Sequence, residues 1–509
     1  MNQTLPFGST LLLGSTSLPF LYEKYVERYL AMFPNKTEAI KPYVILISDN
    51  MTLIYILFFF VILVLMAILI VAIKIFGASK LPLNGPLHLP IIGSYYEFTK
   101  NKHRFYNWLL DCAKKYGTKG VFYFSIPVKS PYIIILKPEY LKEVLKDNMN
   151  GYHREPIYRA CNELLGQGIF NVDGNLWQQQ RRIASHGFNT KQLNNNALRC
   201  FEQCANNLVD KINEYVDKGM AFDIKDLFFR VTVDSICKIA FDYNVDAVIS
   251  DDIPSFAMSI DKCTRHMFQR IIDPLWIIKK IISVPDELEY KKNIKEIDNK
   301  CYEIIDKRLE SLSNPTEGKK LYDESHDILS LFINECFKNY ENNYEETIST
   351  LEEIFQDDTK KYLRDIVVSF IIAGRDTTAS TLSWLFFELL SKPSIIEELE
   401  KDIAMSGPLE NIYQYKDNLQ LVNAAFSETL RLHPPVPMDV KFSKNDTVLV
   451  SNNGSSVVIP KNAAIIYSPF IMGRLEEIWG CDVDSFKLNR DHDKKTQYDF
   501  PCFNAGPRI

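Results

Sequence analysis

From Leu53 to Ile73 the chain is apolar at almost every position, and 21 residues pass without a charge. At about 1.5 Å per residue a helix of this length spans roughly 32 Å, enough for a hydrocarbon core of about 30 Å. The run predicts a transmembrane anchor over residues 51–74, with residues 1–50 as a lumenal extension. Lys74 and Lys80 lie closer to the span than Lys36 and Lys41, and the side richer in nearby basic residues faces the cytosol. Pro82, Pro86 and Pro90 then recur every four residues. Proline fixes φ and lacks a backbone donor, so residues 75–94 cannot prolong the helix and read as a stiff hinge.

Over residues 95–509 the unbroken pattern gives way to periodic ones, which predict one body, mainly α with small β-sheets. His103–Tyr116 is amphipathic at helical spacing. Val121–Ile126 and Tyr132–Leu136 are β-branched and aromatic, a short strand pair broken by Pro127 and Pro131. Lys191 to Leu312 is helical in period, with a strand expected at Ala221–Ile224. Ser313–Lys320 reads as a polar loop and Lys338–Lys361 as an acidic surface connection. Val448–Val450 and Val457–Ile459 flank Asn453-Gly454, the local pattern of a β-hairpin.

Tyr362 to Leu390 stands apart. Both of its ends are apolar on most faces, the mark of a helix buried through a domain centre. Its middle holds Gly374, Arg375, Asp376, Thr377 and Thr378. Glycine costs about 1 kcal/mol against alanine in a helix interior, and unpaired buried polar groups cost more. Two readings of the break stand: a polar patch meeting solvent, or a groove where a carboxylate and a hydroxyl relay protons. Further on, Glu428 and Arg431 share one helix face and can pair, and Pro434-Pro435 ends that helix. Arg490, in a later loop, is a candidate third member of a buried charge network.

Charge and cysteine usage narrow the function classes. A net charge of −6 over 509 residues leaves no basic footprint for nucleic acid. Ten cysteines without a C-x-x-C or a repeated spacing point to a reducing compartment and against a disulfide framework. The final stretch, Phe503-Asn504-Ala505-Gly506-Pro507-Arg508-Ile509, reads as the first half of a rigid loop with an arginine directed at an anion.

Ala373-Gly374-Arg375-Asp376-Thr377-Thr378, Glu428-x-x-Arg431 and Phe503-x-x-Gly506-x-Arg508 follow one another in this order. Together they resemble the cytochrome P-450 superfamily of haem-thiolate monooxygenases. Trp177-Gln-Gln-Gln-Arg181 is similar to the family's W-x-x-x-R helix, and Met472-Gly473-Arg474 through Trp479-Gly480 to the segment before its third arginine. The resemblance runs from about Leu81 to Ile509. It implies the cytochrome P-450 fold around haem b, behind the transmembrane helix and with an incomplete C-terminus.

The resemblance also implies roles. Asp376 and Thr377 handle the protons needed to split dioxygen, and Ala373 and Gly374 leave room above the iron. Trp177, Arg181 and Arg508 face the haem propionates, and Lys441 falls where the family often has another propionate-binding arginine. Phe503 and Gly506 shape the haem-binding loop, while Glu428, Arg431 and Arg490 hold the scaffold behind it. The residue at the family's proline position is Leu488. The iron ligand is expected as a cysteine directly after Ile509, so no residue of the chain is assigned to the metal, and Cys502 falls on the wrong side of the loop.

Ala-Gly-Arg-Asp-Thr-Thr-Ala together with Phe-Asn-Ala-Gly-Pro-Arg-Ile is similar to the branch that hydroxylates alkanes and fatty acids. That implies insertion of one oxygen atom of O2 at the terminus of a lipophilic chain. Electrons come from NADPH through a flavin-containing partner reductase, at the endoplasmic reticulum membrane with the body cytosolic. Tyr152–Val172 is expected to line the substrate pocket. Two other functions stay open: an inactive membrane-anchored protein of the same fold lacking the thiolate, and a sterol or xenobiotic monooxygenase. The chain as it ends at Ile509 is expected to be inactive.

Overall fold

The computed structural model of the protein describes residues 56–66, 80–187, 197–250, 253–313, 327–337, 357–406 and 418–508. The chain divides into two compact units, residues 1–77 and 78–509. In the first, residues 56–66 are helical with exposed apolar side chains. The rest of the predicted anchor, the 1–50 extension, the 314–320 part of the predicted polar loop and most of the acidic connection lie outside the described residues. Among the described residues no helix is long and apolar enough to cross a membrane.

In the second unit the helices that position the site are α1 (Phe105–Tyr116), α2 (Glu155–Leu165), α3 (Gly174–Gly187), α4 (Ile224–Phe241), α5 (Ser255–Ile272), α6 (Pro285–Ser313), α7 (Asp357–Leu390) and α8 (Gln420–Leu432). The predicted strand at Ala221–Ile224 is absent, and α4 begins there. The Asp223 side chain accepts from the backbone N–H of Lys225 and Asp226, an N-cap that satisfies two otherwise orphaned donors. This local carboxylate outweighs the weak β propensity of the four residues.

The strands are β1 (Val121–Phe124), β2 (Tyr132–Ile135), β3 (Tyr152–His153), β4 (Asp439–Ser443), β5 (Thr447–Val450), β6 (Ser456–Ile459) and β7 (Ala464–Tyr467). They form a sheet in the order β1-β2-β7-β4-β3 and a separate β5-β6 hairpin. β1 and β2 pair antiparallel, as their sequences predict, with Val121 opposite Ile135. β7 joins β2 in parallel and β4 antiparallel, with Asp439 opposite Tyr467. Side chains alternate across a strand, so the sheet divides two cores. Val440 and Ile466 pack toward Trp108 and Leu109 of α1, whereas Ile465 and Tyr467 pack toward Tyr140 and Leu141.

The largest core gathers α4, α5, α6 and the first half of α7, whose Ile366, Val367, Val368 and Ile371 are fully buried. α7 runs for 34 residues, longer than the Tyr362–Leu390 pattern by one turn at its start. It lies close against α4 because Gly374 has no side chain: a Cβ there would stand 2.5 Å from Ile236 Cγ1. Gly374→Ala is therefore expected to destabilise the body by about 1–3 kcal/mol through overpacking. Thermal melting checks this, and the loss should largely vanish when the same change is made in an Ile236→Ala background.

Candidate active site

The polar break in α7 is built from hydroxyls that bond back to their own helix. Thr377 Oγ1 donates to the Ala373 carbonyl at 2.7 Å, and Thr381 Oγ1 to the Thr377 carbonyl at 2.9 Å. Such bonds satisfy buried hydroxyls while loosening the helix ladder. Successive residues of a helix point about 100° apart, so Asp376 and Thr377 face different spaces.

Thr377, Thr378 and Thr381 line one wall of a cavity of about 570 Å³. Pro501, Cys502, Phe503 and Asn504 form the opposite wall, and Phe426, Leu430 and Val436 add apolar surface. Asp376 instead lines a second, more open cavity of about 590 Å³ with Asp261, Arg265 and Arg375. α7 thus stands between the two cavities, with consecutive residues Asp376 and Thr377 on different sides.

Asp376 is held by its neighbour. Arg375 Nη1 donates to Asp376 Oδ1 at 2.8 Å and to Asp261 Oδ1 at 2.7 Å, and the guanidinium lies 4.7 Å over the Phe229 ring. Burial pushes the Asp376 carboxyl up to about 6; Arg375 opposes that shift and Asp261 adds to it.

One end of the first cavity carries a polar rim. Arg154 Nη2 meets Asp439 Oδ2 at 2.5 Å, and Lys441 Nζ stands 3.4 Å from the same oxygen. The Tyr467 hydroxyl lies 2.9 Å from Asp439 Oδ2 and 2.7 Å from Asn504 Oδ1, where its single proton is shared. Burial alone would raise the Asp439 carboxyl, but Arg154 and Lys441 hold it well below the usual carboxylate range. Arg154 falls inside the segment expected to line the pocket; nothing in its own sequence context distinguished it. Asp439 and Tyr467 carried no sequence signal either, since their partnership is made across β4 and β7.

Behind the cavity Glu428 and Arg431 are both fully buried. Arg431 Nε and Nη2 each donate to the Glu428 carboxylate at 2.7 Å, and Arg490 Nε adds a third bond at 3.0 Å. His492, which the sequence did not single out, lies 3.1 Å from Glu428 Oε2. Arg431 Nη1 also donates to the carbonyls of Gly473 and Val483, both at 2.6 Å. Gly473 is required there because a Cβ would stand 2.2 Å from the Arg431 carbonyl oxygen.

Other expected residues are placed differently. Trp177 is half-buried and Arg181 exposed on α3, and neither lines the cavity. The space at Gly374 faces Ile236 of α4, so its lack of a side chain serves helix packing. Gly506, at φ +72°, closes a turn over Gly506–Arg508 where a Cβ would stand 2.5 Å from the Leu145 carbonyl oxygen. The Arg508 side chain is outside the described residues. Cys502, placed by the sequence on the wrong side of the loop to be the iron ligand, is buried in the cavity wall. Burial pushes its thiol up to about 12, which keeps it neutral near pH 7 and makes it a poor ligand.

A volume of about 570 Å³ lies within the range of cofactor sites, about 300–1,000 Å³. Mainly apolar walls with Arg154 at one edge fit the flat macrocycle and a carboxylate of haem, which Arg154 would hold; Lys441, like Trp177 and Arg181, does not line the cavity. Among the described residues no group of three His, Cys, Asp or Glu side chains could hold a bare metal ion.

Comparison with known proteins agrees with this chemistry. The family model described as "Cytochrome P450" matches residues 83–509. Among similar proteins, "Cytochrome P450 704B1" of Arabidopsis thaliana is 31% identical over 84% of this chain and 85% of its own length. "Cytochrome P450 94A1" of Vicia sativa is 30% identical, covering 83% of this chain and 80% of its own length. "Cytochrome P450 704C1" of Pinus taeda is 30% identical over 82% of each. With its body matched along almost its whole length and the charge network closed around Glu428, the chain belongs to the cytochrome P-450 family of haem monooxygenases.

Proposed function

We propose that the protein hydroxylates the terminal carbon of a fatty acid or alkane. We further propose that residues 51–74 anchor it in the endoplasmic reticulum membrane with its body cytosolic, and that a flavin-containing reductase passes it electrons from NADPH. The observation that carries the reading is that consecutive residues of α7 line different cavities, Asp376 the more open one and Thr377 the other. Bound haem would supply the activation of dioxygen, its thiolate favouring O–O cleavage.

The chain's residues supply placement and protons. Asp376 takes a proton at its carboxylate from the more open cavity, and the Thr377 hydroxyl hands one on inside the other. Arg154 is assigned to the cofactor's carboxylates from its place on the cavity, and Trp177, Arg181, Lys441 and Arg508 from the resemblance alone. Phe426, Leu430 and Val436 exclude water from the substrate. The likeness of residues 373–379 and 503–509 to the alkane- and fatty-acid-hydroxylating branch supports the substrate class.

The test is product analysis of the haem-loaded protein, with its thiolate ligand in place, using dodecanoic acid, NADPH, a reductase and ¹⁸O₂. A terminal alcohol carrying one labelled oxygen is expected. No oxygenated product from the acid or from dodecane would overturn the reading.

A further inference from the structure

Cys200 and Cys204 lie one turn apart near the start of the helix Leu198–Asp217. Residues four apart share a helix face, so the two side chains are directed the same way. That face packs against α4, where Cys200 Sγ stands 4.0 Å from the Ser235 carbonyl oxygen. The two thiols share a hydrogen bond, which lowers the Cys204 thiol and raises that of Cys200. The first thiolate of the pair therefore forms on Cys204, and the thiolate is the form that attacks and ligates. No step of the proposed oxidation uses either residue.

Access separates this pair from the cysteines of the main core. Cys237 and Cys301 also act on one another, but they are 0% and 1% exposed. Cys200 and Cys204 are 9% and 8% exposed, and Phe201, Glu202, Gln203 and Ala205 around them are exposed. A small reagent reaches them from solvent without opening the core.

Geometry then selects the ligand. Side chains four apart on a helix have Cβ atoms about 5–6 Å apart, whereas a disulfide needs about 3.5–4.5 Å, so direct S–S closure would break the turn. A single atom placed between the sulfurs spans the longer gap. A structural zinc ion takes four ligands. Among the described residues no third His, Cys, Asp or Glu side chain joins the two to hold a metal ion. Asp234 acts on both thiols, but its carboxylate is engaged by the backbone N–H groups of Ala247 and Val248 at 2.7 and 2.9 Å. The ligand must be thiophilic and complete with two sulfurs. A trivalent arsenic atom carrying one organic group meets both conditions.

We propose that Cys200 and Cys204 form a dithiol site for monosubstituted trivalent arsenicals. Each of two As–OH groups is exchanged for an As–S bond, and each thiol proton leaves with the displaced hydroxide as water. Arsenic stays trivalent and both sulfurs keep their oxidation state, so no oxidant or reductant takes part. The adduct bridges one turn of the helix where it meets α4.

The experiment treats the haem-loaded protein with equimolar phenylarsine oxide, washes it with glutathione and reads the arsenic retained by intact-mass spectrometry. One phenylarsenic group per chain is expected to survive this monothiol wash and to be released by dithiothreitol. Cys200→Ala and Cys204→Ala should each weaken retention by about 100- to 10,000-fold, the usual gain from a second binding group held within reach. Cys481→Ala, at the exposed cysteine, should retain arsenic like the parent. Peptide mapping of the parent is the second readout, and it stands even if an alanine variant fails to fold. Arsenic should map to the peptide that holds both residues, with both thiols protected from iodoacetamide. No arsenic after the glutathione wash, full retention by either alanine variant, or arsenic mapped to Cys237 and Cys301 would each overturn the proposal.

Discussion

Glu428→Gln is expected to destabilise the folded body by about 3–5 kcal/mol, the cost of removing one partner from a buried ion pair. The change keeps the side chain's size and removes only its charge. Arg431 would stay fully enclosed with its carbonyl bonds to Gly473 and Val483 but without its anion, and Arg490 and His492 would lose the same partner. The pH dependence has a definite sign. Burial works against the Glu428 charge, yet the bonds from Arg431, His492 and Arg490 hold its carboxyl down to about 2 from 4.5. A depressed carboxyl contributes stability that is complete above its unfolded value and disappears as pH falls through its folded one. At about 1.4 kcal/mol per unit, the displacement amounts to roughly 3 kcal/mol, in line with the mutational cost. Urea unfolding between pH 5 and pH 2 should therefore show the parent losing about 3 kcal/mol more than Glu428→Gln, which keeps only the losses from the other depressed carboxylates such as Asp439. A parallel pair of curves would refute the assignment.

Asp376→Asn is expected to lower turnover by about 100- to 10,000-fold, the usual contribution of a positioned acid–base group. Its effect on stability should run the other way from that of Glu428→Gln. Burial raises the Asp376 carboxyl from 3.8 to about 6. For a raised group the stabilising form is the protonated one, present in full below the unfolded value and lost as pH rises through about 6. At pH 7.5 the parent carries a costly buried charge that asparagine lacks, and Arg375 keeps its bonds to Asp261 in the variant. The variant should melt no lower than the parent at pH 7.5 while turning over far more slowly. Turnover of the parent should also fall as pH rises through about 6, a limb missing from Asp376→Asn. A variant with parental turnover would remove Asp376 from the chemistry.

Much of this site was legible before any coordinates. The long helix around Gly374–Thr378 was marked by an apolar pattern with a polar centre, and it extends over Asp357–Leu390. Glu428 and Arg431 were legible because three residues of helix place them side by side, and Pro434-Pro435 stops that helix at Leu432. The Asn453-Gly454 hairpin followed from local turn chemistry, and Gly454 sits at φ +80°. The strand expected at Ala221–Ile224 failed for an equally local reason, the capping carboxylate of Asp223.

What was not legible has a common cause. Arg154 meets Asp439 across 285 residues of sequence, and His492 reaches Glu428 across 64. Neither contact follows the period of a helix or a strand, so no pattern along the chain records it. By itself the sequence determined the family, through the order of several short motifs, and the buried helix with its acid and hydroxyl and the Glu428–Arg431 pair, each of which depends on near neighbours along one helix. Only the tertiary structure decided that Asp376 and Thr377 face separate cavities, that Gly374 serves the contact with α4, and that Arg154 pairs with Asp439 at the cavity edge. Those outcomes depend on which distant surfaces come together, and long-range packing sets them.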